Sequence, residues 1–150
     1  MDKQYYPVEI EEKWSKIWSE RVVSNKNSKD SFSQVILPPN VTGTLHMGHR
    51  FQYAIMDFYT RYHHMAGKDA HWQVGADHAG IATQMVVENN LAKKDITRHA
   101  LGREKFLDEV WSWKDYSEEK ITSQIKRLGC SVDWNKYRFT LDDGCNEAVI

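Results

Sequence analysis

Cysteine is scarce in this chain: Cys130 and Cys145 are the only two among 150 residues. That is too few for a disulfide framework or a four-cysteine zinc site, and a reducing, cytoplasmic setting is the expectation. Long apolar runs are missing. None approaches the ~18 residues that a membrane-spanning helix needs, so no membrane partner is expected. The opening Met1-Asp2-Lys3-Gln4-Tyr5-Tyr6 lacks the apolar stretch of a signal peptide. A surplus of positive charge is also absent. Twenty basic and 21 acidic residues leave a net charge of −1. The basic footprint of a dedicated nucleic-acid binder is therefore not there, although another part of a longer protein could supply it.

Hydrophobic residues at 41% and charged residues at 27% are ordinary for a soluble globular domain. Six tryptophans and seven tyrosines are many for this length, and suit a core or a pocket for flat ligands. Charge is unevenly spread: residues 31–90 carry only Arg50, Asp57, Arg61, Lys68, Asp69, Asp77 and Glu88, which marks them as the core.

The spacing of Ile10, Trp14, Ile17 and Trp18 predicts a helix over Pro7–Ser19. The polar stretch Ser24–Ser33 reads as a loop. Val35-Ile36-Leu37 then reads as a strand buried on both faces and stopped by Pro38-Pro39. A helix is expected from Met47 to Ala66, with Phe51, Ile55, Phe58, Tyr62 and Met65 as its core face and Gly67 at its C-cap. Ala70–Val74 is a second strand, Ile81 to Val86 lie in a third helix, and a long helix runs from Thr97 to Leu128. Alternating strands and helices predict an α/β fold with a parallel sheet. Two strands are too few to finish one, so the chain reads as an amino-terminal piece of a larger protein.

In open α/β sheets, ligands bind beyond the carboxyl ends of the strands. The loop from Pro38 to Gly48 leaves the first strand there and ends in His46-Met47-Gly48-His49. Two histidines three apart at a helix start share a side. Gly48 lets a flat ring approach the backbone, and the helix amino terminus suits phosphate. The assembly fits a nucleoside triphosphate. It is no P-loop: Gly43 and Gly48 have the right spacing, but His49 and Arg50 stand where Lys and Ser or Thr are required. A metal held by His46 and His49, with Asp77 and His78 converging, is an alternative, as is a purely structural histidine pair. The expectation is that no metal is bound. Asp77 read alone suggests a helix N-cap.

Pro38-Pro39-Asn40-Val41-Thr42-Gly43-Thr44-Leu45-His46-Met47-Gly48-His49 resembles the adenylate-forming signature of class I aminoacyl-tRNA synthetases, in the form typical of the valine branch. Trp72 to Gln84, Tyr5 to Trp18 and Leu128 to Trp134 look like further family blocks. Isoleucine enzymes typically show Tyr-Ala-Asn-Gly at positions 40 to 43. The resemblance implies the first half of a Rossmann-like catalytic domain over 31–150, preceded by an N-terminal helix and loop over 1–30. It implies activation of valine with ATP, magnesium as the nucleotide's counter-ion, and transfer to tRNA held mostly by other regions. His46 and His49 would stabilise charge on the α-phosphate. Thr42 and Gly48 would contact ATP, with Gly48 under the adenine. Asp77 would bind the amino group of valine, and Pro38, Pro39 and Asn40 would line its pocket.

Two departures stand out: Arg50 replaces a residue that is usually small, and Ala76 replaces a frequent threonine. Nothing resembles the Lys-Met-Ser-Lys-Ser loop, the editing domain or the anticodon-binding helices, so these 150 residues alone are expected to be inactive. The competing readings are an isoleucine or other aliphatic-specific synthetase and a non-catalytic nucleotide-binding module. Trp111 and Trp113 read as helix packing, Glu118-Glu119-Lys120 as a solvated face, His63-His64 as exposed, and both cysteines as unpaired thiols.

Overall fold

A computed structural model of the chain describes residues 4–19 and 28–150. Contacts divide it into two units. One holds the described residues up to Ile36, with Met47–Val74 and Gln124–Lys136; the other holds Leu37–His46, Gly75–Ser123 and Tyr137–Ile150.

The first unit is built on a strand–helix–strand crossover. Strands β1 (Ser31–Val35) and β2 (Asp69–Gln73) pair in parallel, from Ser31 opposite Asp69 to Val35 opposite Gln73. A parallel pair needs a long connection, and helix α2 (Met47–Met65) lies within it. Gly67, at φ 81°, follows the helix in the left-handed conformation expected of a C-terminal glycine. Trp72 is 1% exposed and its ring meets the edge of buried Tyr53 at 6.2 Å.

Three expectations change here. β1 begins at Ser31, inside the segment read as a loop; residues 24–27 of that segment lie outside the described residues. The strand is not buried on both faces. Side chains alternate, so Val35 is 71% exposed while Ile36 is buried, with its N–H on the Gln73 carbonyl at 2.9 Å. The apolar stripe of α2 faces away from the strands: Phe51 is 70% exposed and Met65 89%, whereas Tyr53 and Thr60 are buried. Specific polar pairing selects that inward side. Gln34 of β1 donates to the Met56 carbonyl and to the Thr60 hydroxyl, each at 2.6 Å. Asp57 accepts from the Ser131 N–H at 2.6 Å and from Arg61 at 2.7 Å.

Helix α1 (Pro7–Ser19) has the expected bounds and belongs to this unit. Its Trp18 seats on Gly129, where an added Cβ would lie 2.7 Å from the indole. Arg61 covers the same ring at 5.1 Å and donates to the Gly129 carbonyl at 2.6 Å. His63 and His64 are both half-buried and not exposed as expected, His63 lying against Phe32 with ring centroids 3.8 Å apart. Cys130 is half-buried. Burial, with the Asp57 charge nearby, pushes its thiol up to about 12.

The second unit packs α3 (Gly80–Ala92) against α5 (Arg103–Arg127) through Val87, Leu91 and Phe106. The single long helix expected from Thr97 is instead two. Gly102, at φ 82°, separates the short α4 (Arg98–Leu101) from α5, and Thr97 caps α4 through its side chain. Strands β3 (Gly75–Ala76) and β4 (Arg138–Phe139) pair in parallel, and Asp142 caps α6 (Asp143–Val149). Cys145 lies in α6. Among the described residues no helix is long and apolar enough to cross a membrane.

Candidate functional site

The Pro38–His46 loop is fixed to the second unit by backbone pairing. Asn40 forms a parallel bridge with Asp77. The Asp77 N–H donates to the Pro39 carbonyl at 2.9 Å and the Val41 N–H to the Asp77 carbonyl at 3.0 Å. Val41 is 0% exposed and packs with Ala76 and Phe139. Trp113 of α5 donates from its indole to the Val41 carbonyl at 3.0 Å, so it does more than pack. The neighbouring ladder has no room to spare. A Cβ at Gly75 would collide with the Arg138 carbonyl oxygen.

Asp77 follows β3, half-exposed, between Asn40 on one side and Thr140 on the other. It is not the helix cap that a lone aspartate suggests. The cap position of α3 is Ala79, which has φ 50° and no side-chain cap bond. The Asp77 Oδ1 accepts instead from the Ala79 N–H at 2.8 Å, folding its own backbone into a turn. Thr140 also approaches Oδ1, at 3.4 Å, and His78 Nδ1 lies 3.5 Å from it. Among the described residues, every side-chain bond of this carboxylate goes to Oδ1, leaving Oδ2 uncommitted. A half-exposed carboxylate with one open oxygen at a strand's carboxyl end can take a cation or an ammonium group.

The other expected site residues divide between the units. Pro38, Pro39, Asn40, Thr42 and His46 belong with Asp77; Gly48 and His49 belong to the first unit, in the first turn of α2. Pro39 is buried, Pro38 and Thr42 half-buried, Asn40 and His46 exposed. His49 is half-buried, 6.1 Å from the Tyr53 ring, and Gly48 is exposed. No acidic residue sits in the first turn of α2, and a helix amino terminus without one suits an anion. No three His, Cys, Asp or Glu side chains among the described residues converge as a metal site.

Sequence reasoning missed Thr140 and the tether from Trp113. A faint signal for Thr140 existed: Arg138 exposed and Phe139 buried begin a period-two alternation that a two-residue strand is too short to display. Glu118 was read as solvated. It accepts from the half-buried Tyr137 hydroxyl at 2.7 Å, and burial together with that bond holds the phenol above its usual range.

The family model for class I tRNA synthetases (I, L, M and V) matches residues 9–150. A valine--tRNA ligase of Acinetobacter baylyi is 58% identical over 97% of the chain, and one of Francisella tularensis is 51% identical over 99%. The chain spans 15% and 16% of the lengths of these curated relatives. A LeuRS chain from Agrobacterium radiobacter K84, solved with tRNA and LeuAMS, superposes with a TM-score of 0.73 over 95% of this chain and 17% of its own, at 19% identity.

Proposed function

The chain belongs to the class I tRNA synthetases (I, L, M and V), and on that footing we propose that it is the part of a valine--tRNA ligase that activates valine. The reaction joins the valine carboxylate to the α-phosphate of ATP, releases pyrophosphate, and is followed by transfer to tRNA. One observation carries this reading: the Asp77 carboxylate, tied down through Oδ1 and open at Oδ2, beside the Pro38-Pro39-Asn40 segment. That oxygen would take the substrate ammonium, and the loop would line the aliphatic pocket. Pro-Pro-Asn-Val before Thr42-Gly43 favours valine over isoleucine, as do the names of the similar relatives.

His46 and His49 stabilise charge on the α-phosphate, a role that follows from the His46-Met47-Gly48-His49 signature. Thr42 and Gly48 contact ATP, magnesium accompanies the nucleotide, and the enzyme works in the cytoplasm. Residues 31–150 form the first half of the catalytic domain.

The test uses a full-length synthetase carrying this segment. Asp77→Asn should raise the KM for valine in pyrophosphate exchange by ~10- to 150-fold, the loss of one charged hydrogen bond, and leave the KM for ATP unchanged. Equal weakening of both substrates would remove Asp77 from the amino-acid site. His46→Ala should slow adenylate formation by ~10²–10³-fold with valine affinity little changed.

A further inference from the structure

The second torsion of an aspartate is broad and two-fold, so nothing within Asp77 decides which way Oδ2 faces. Its surroundings must decide. The parallel register that sets Ala76 opposite Phe139 brings Asp77 level with Thr140 one step further, and the Thr140 N–H donates to the Ala76 carbonyl at 3.1 Å. Residues level with each other in parallel strands share a face. The Thr140 hydroxyl is itself held from two directions. It accepts from the His78 N–H at 2.9 Å and lies 2.6 Å from His78 Nδ1. His78 is fixed in turn: its carbonyl accepts from the buried Thr83 hydroxyl at 2.7 Å, and its ring stands edge-on to Phe139 at 6.4 Å.

We propose that Thr140 is a positioning residue for amino-acid binding. Its hydroxyl donates to Asp77 Oδ1 at 3.4 Å and, with the Ala79 N–H at 2.8 Å, turns the carboxylate so that Oδ2 is presented to the substrate ammonium. This rests on the proposed role of Asp77. Thr140 itself touches no substrate, and its effect runs through the carboxylate.

The test compares Thr140→Val, Thr140→Ser and Asp77→Asn in a full-length synthetase carrying this segment, by KM for valine and for ATP in pyrophosphate exchange. Thr140→Val should raise the valine KM by about 5- to 10-fold, the scale of one long hydrogen bond to a carboxylate, at unchanged ATP KM. Thr140→Ser, which keeps the hydroxyl, should stay within about twofold of wild type. In the Asp77→Asn background Thr140→Val should add nothing, because the residue acts through that carboxylate. If Thr140→Val does not fold, Thr140→Ala repeats the comparison and leaves room for water on the His78 N–H. An unchanged valine KM, failure of serine to restore it, or an equal effect in the Asp77→Asn background overturns the proposal while the function stands. An Asp77→Asn enzyme with normal valine KM overturns both.

Discussion

The β1–β2 ladder pairs five residues and is packed against α2, with Trp72 and Tyr53 buried beside it. The β3–β4 ladder pairs two; backbone bonds between Asp77 and the 38–46 loop and from Thr140 to Ala76 continue it, and side chains brace it, Trp113 on the Val41 carbonyl, Thr140 on the His78 N–H and Asp77 on the Ala79 N–H. The long ladder rests chiefly on apolar burial, which tolerates approximate geometry. The short one covers only the small Val41, Ala76 and Phe139 cluster and leans more on directional bonds, which do not. The proposed binding role of Asp77 would gain from the second kind of support, because tenths of an ångström there change a hydrogen bond.

The largest break should come on the long ladder. Trp72→Ala empties a fully buried site and should cost ~3–5 kcal/mol, read as a lower urea midpoint and lost exchange protection at the Ile36 amide. Next comes Gly75→Ala, whose methyl meets the Arg138 backbone and not a yielding side chain. It should cost ~1–3 kcal/mol and expose the Thr140 amide to exchange, with Ile36 still protected. Trp113→Phe keeps most of the packing but strips a donor from the Val41 carbonyl. It should cost about 1 kcal/mol and loosen the 38–46 loop in amide exchange. Smallest is Tyr53→Phe. Among the described residues the buried Tyr53 hydroxyl has no hydrogen-bond partner, so its removal should be neutral or stabilising by up to about 1 kcal/mol, against the usual sign of a core substitution. If both ladders responded alike to Trp72→Ala and Gly75→Ala, the contrast between them would fail.

What was legible in the sequence follows the same divide. The bounds of α1, the extent of α2 and the glycines that end helices are local properties, readable from spacing and backbone preference. The inward face of α2 was not. Apolar and aromatic residues occur around much of the helix, and the choice is made by Gln34, Thr60 and Asp57, polar residues whose partners lie 26 and 74 positions away. β1 was mislaid because Ser31, Ser33 and Gln34 look like loop, and β3 and β4 were too short for any period. At the candidate site, the Pro38 to Gly48 loop could be named from its place after a strand, whereas Asp77 read alone suggested a helix cap and was singled out only by the family resemblance. Thr140 and Trp113 could be named neither way, since they come from segments 62 and 72 residues beyond the groups they hold.

The half-buried thiol of Cys130 gives this chain a reporter of its own opening. With its acidity suppressed to about 12, almost no thiolate exists near pH 8 while the first unit is closed, and alkylating reagents act only on the thiolate. With Cys145 replaced by serine, maleimide capture should quicken as the region around Asp57, Tyr53 and Gly129 opens more often. The same core and site variants can then be ranked by labelling rate in native buffer, with no denaturant added.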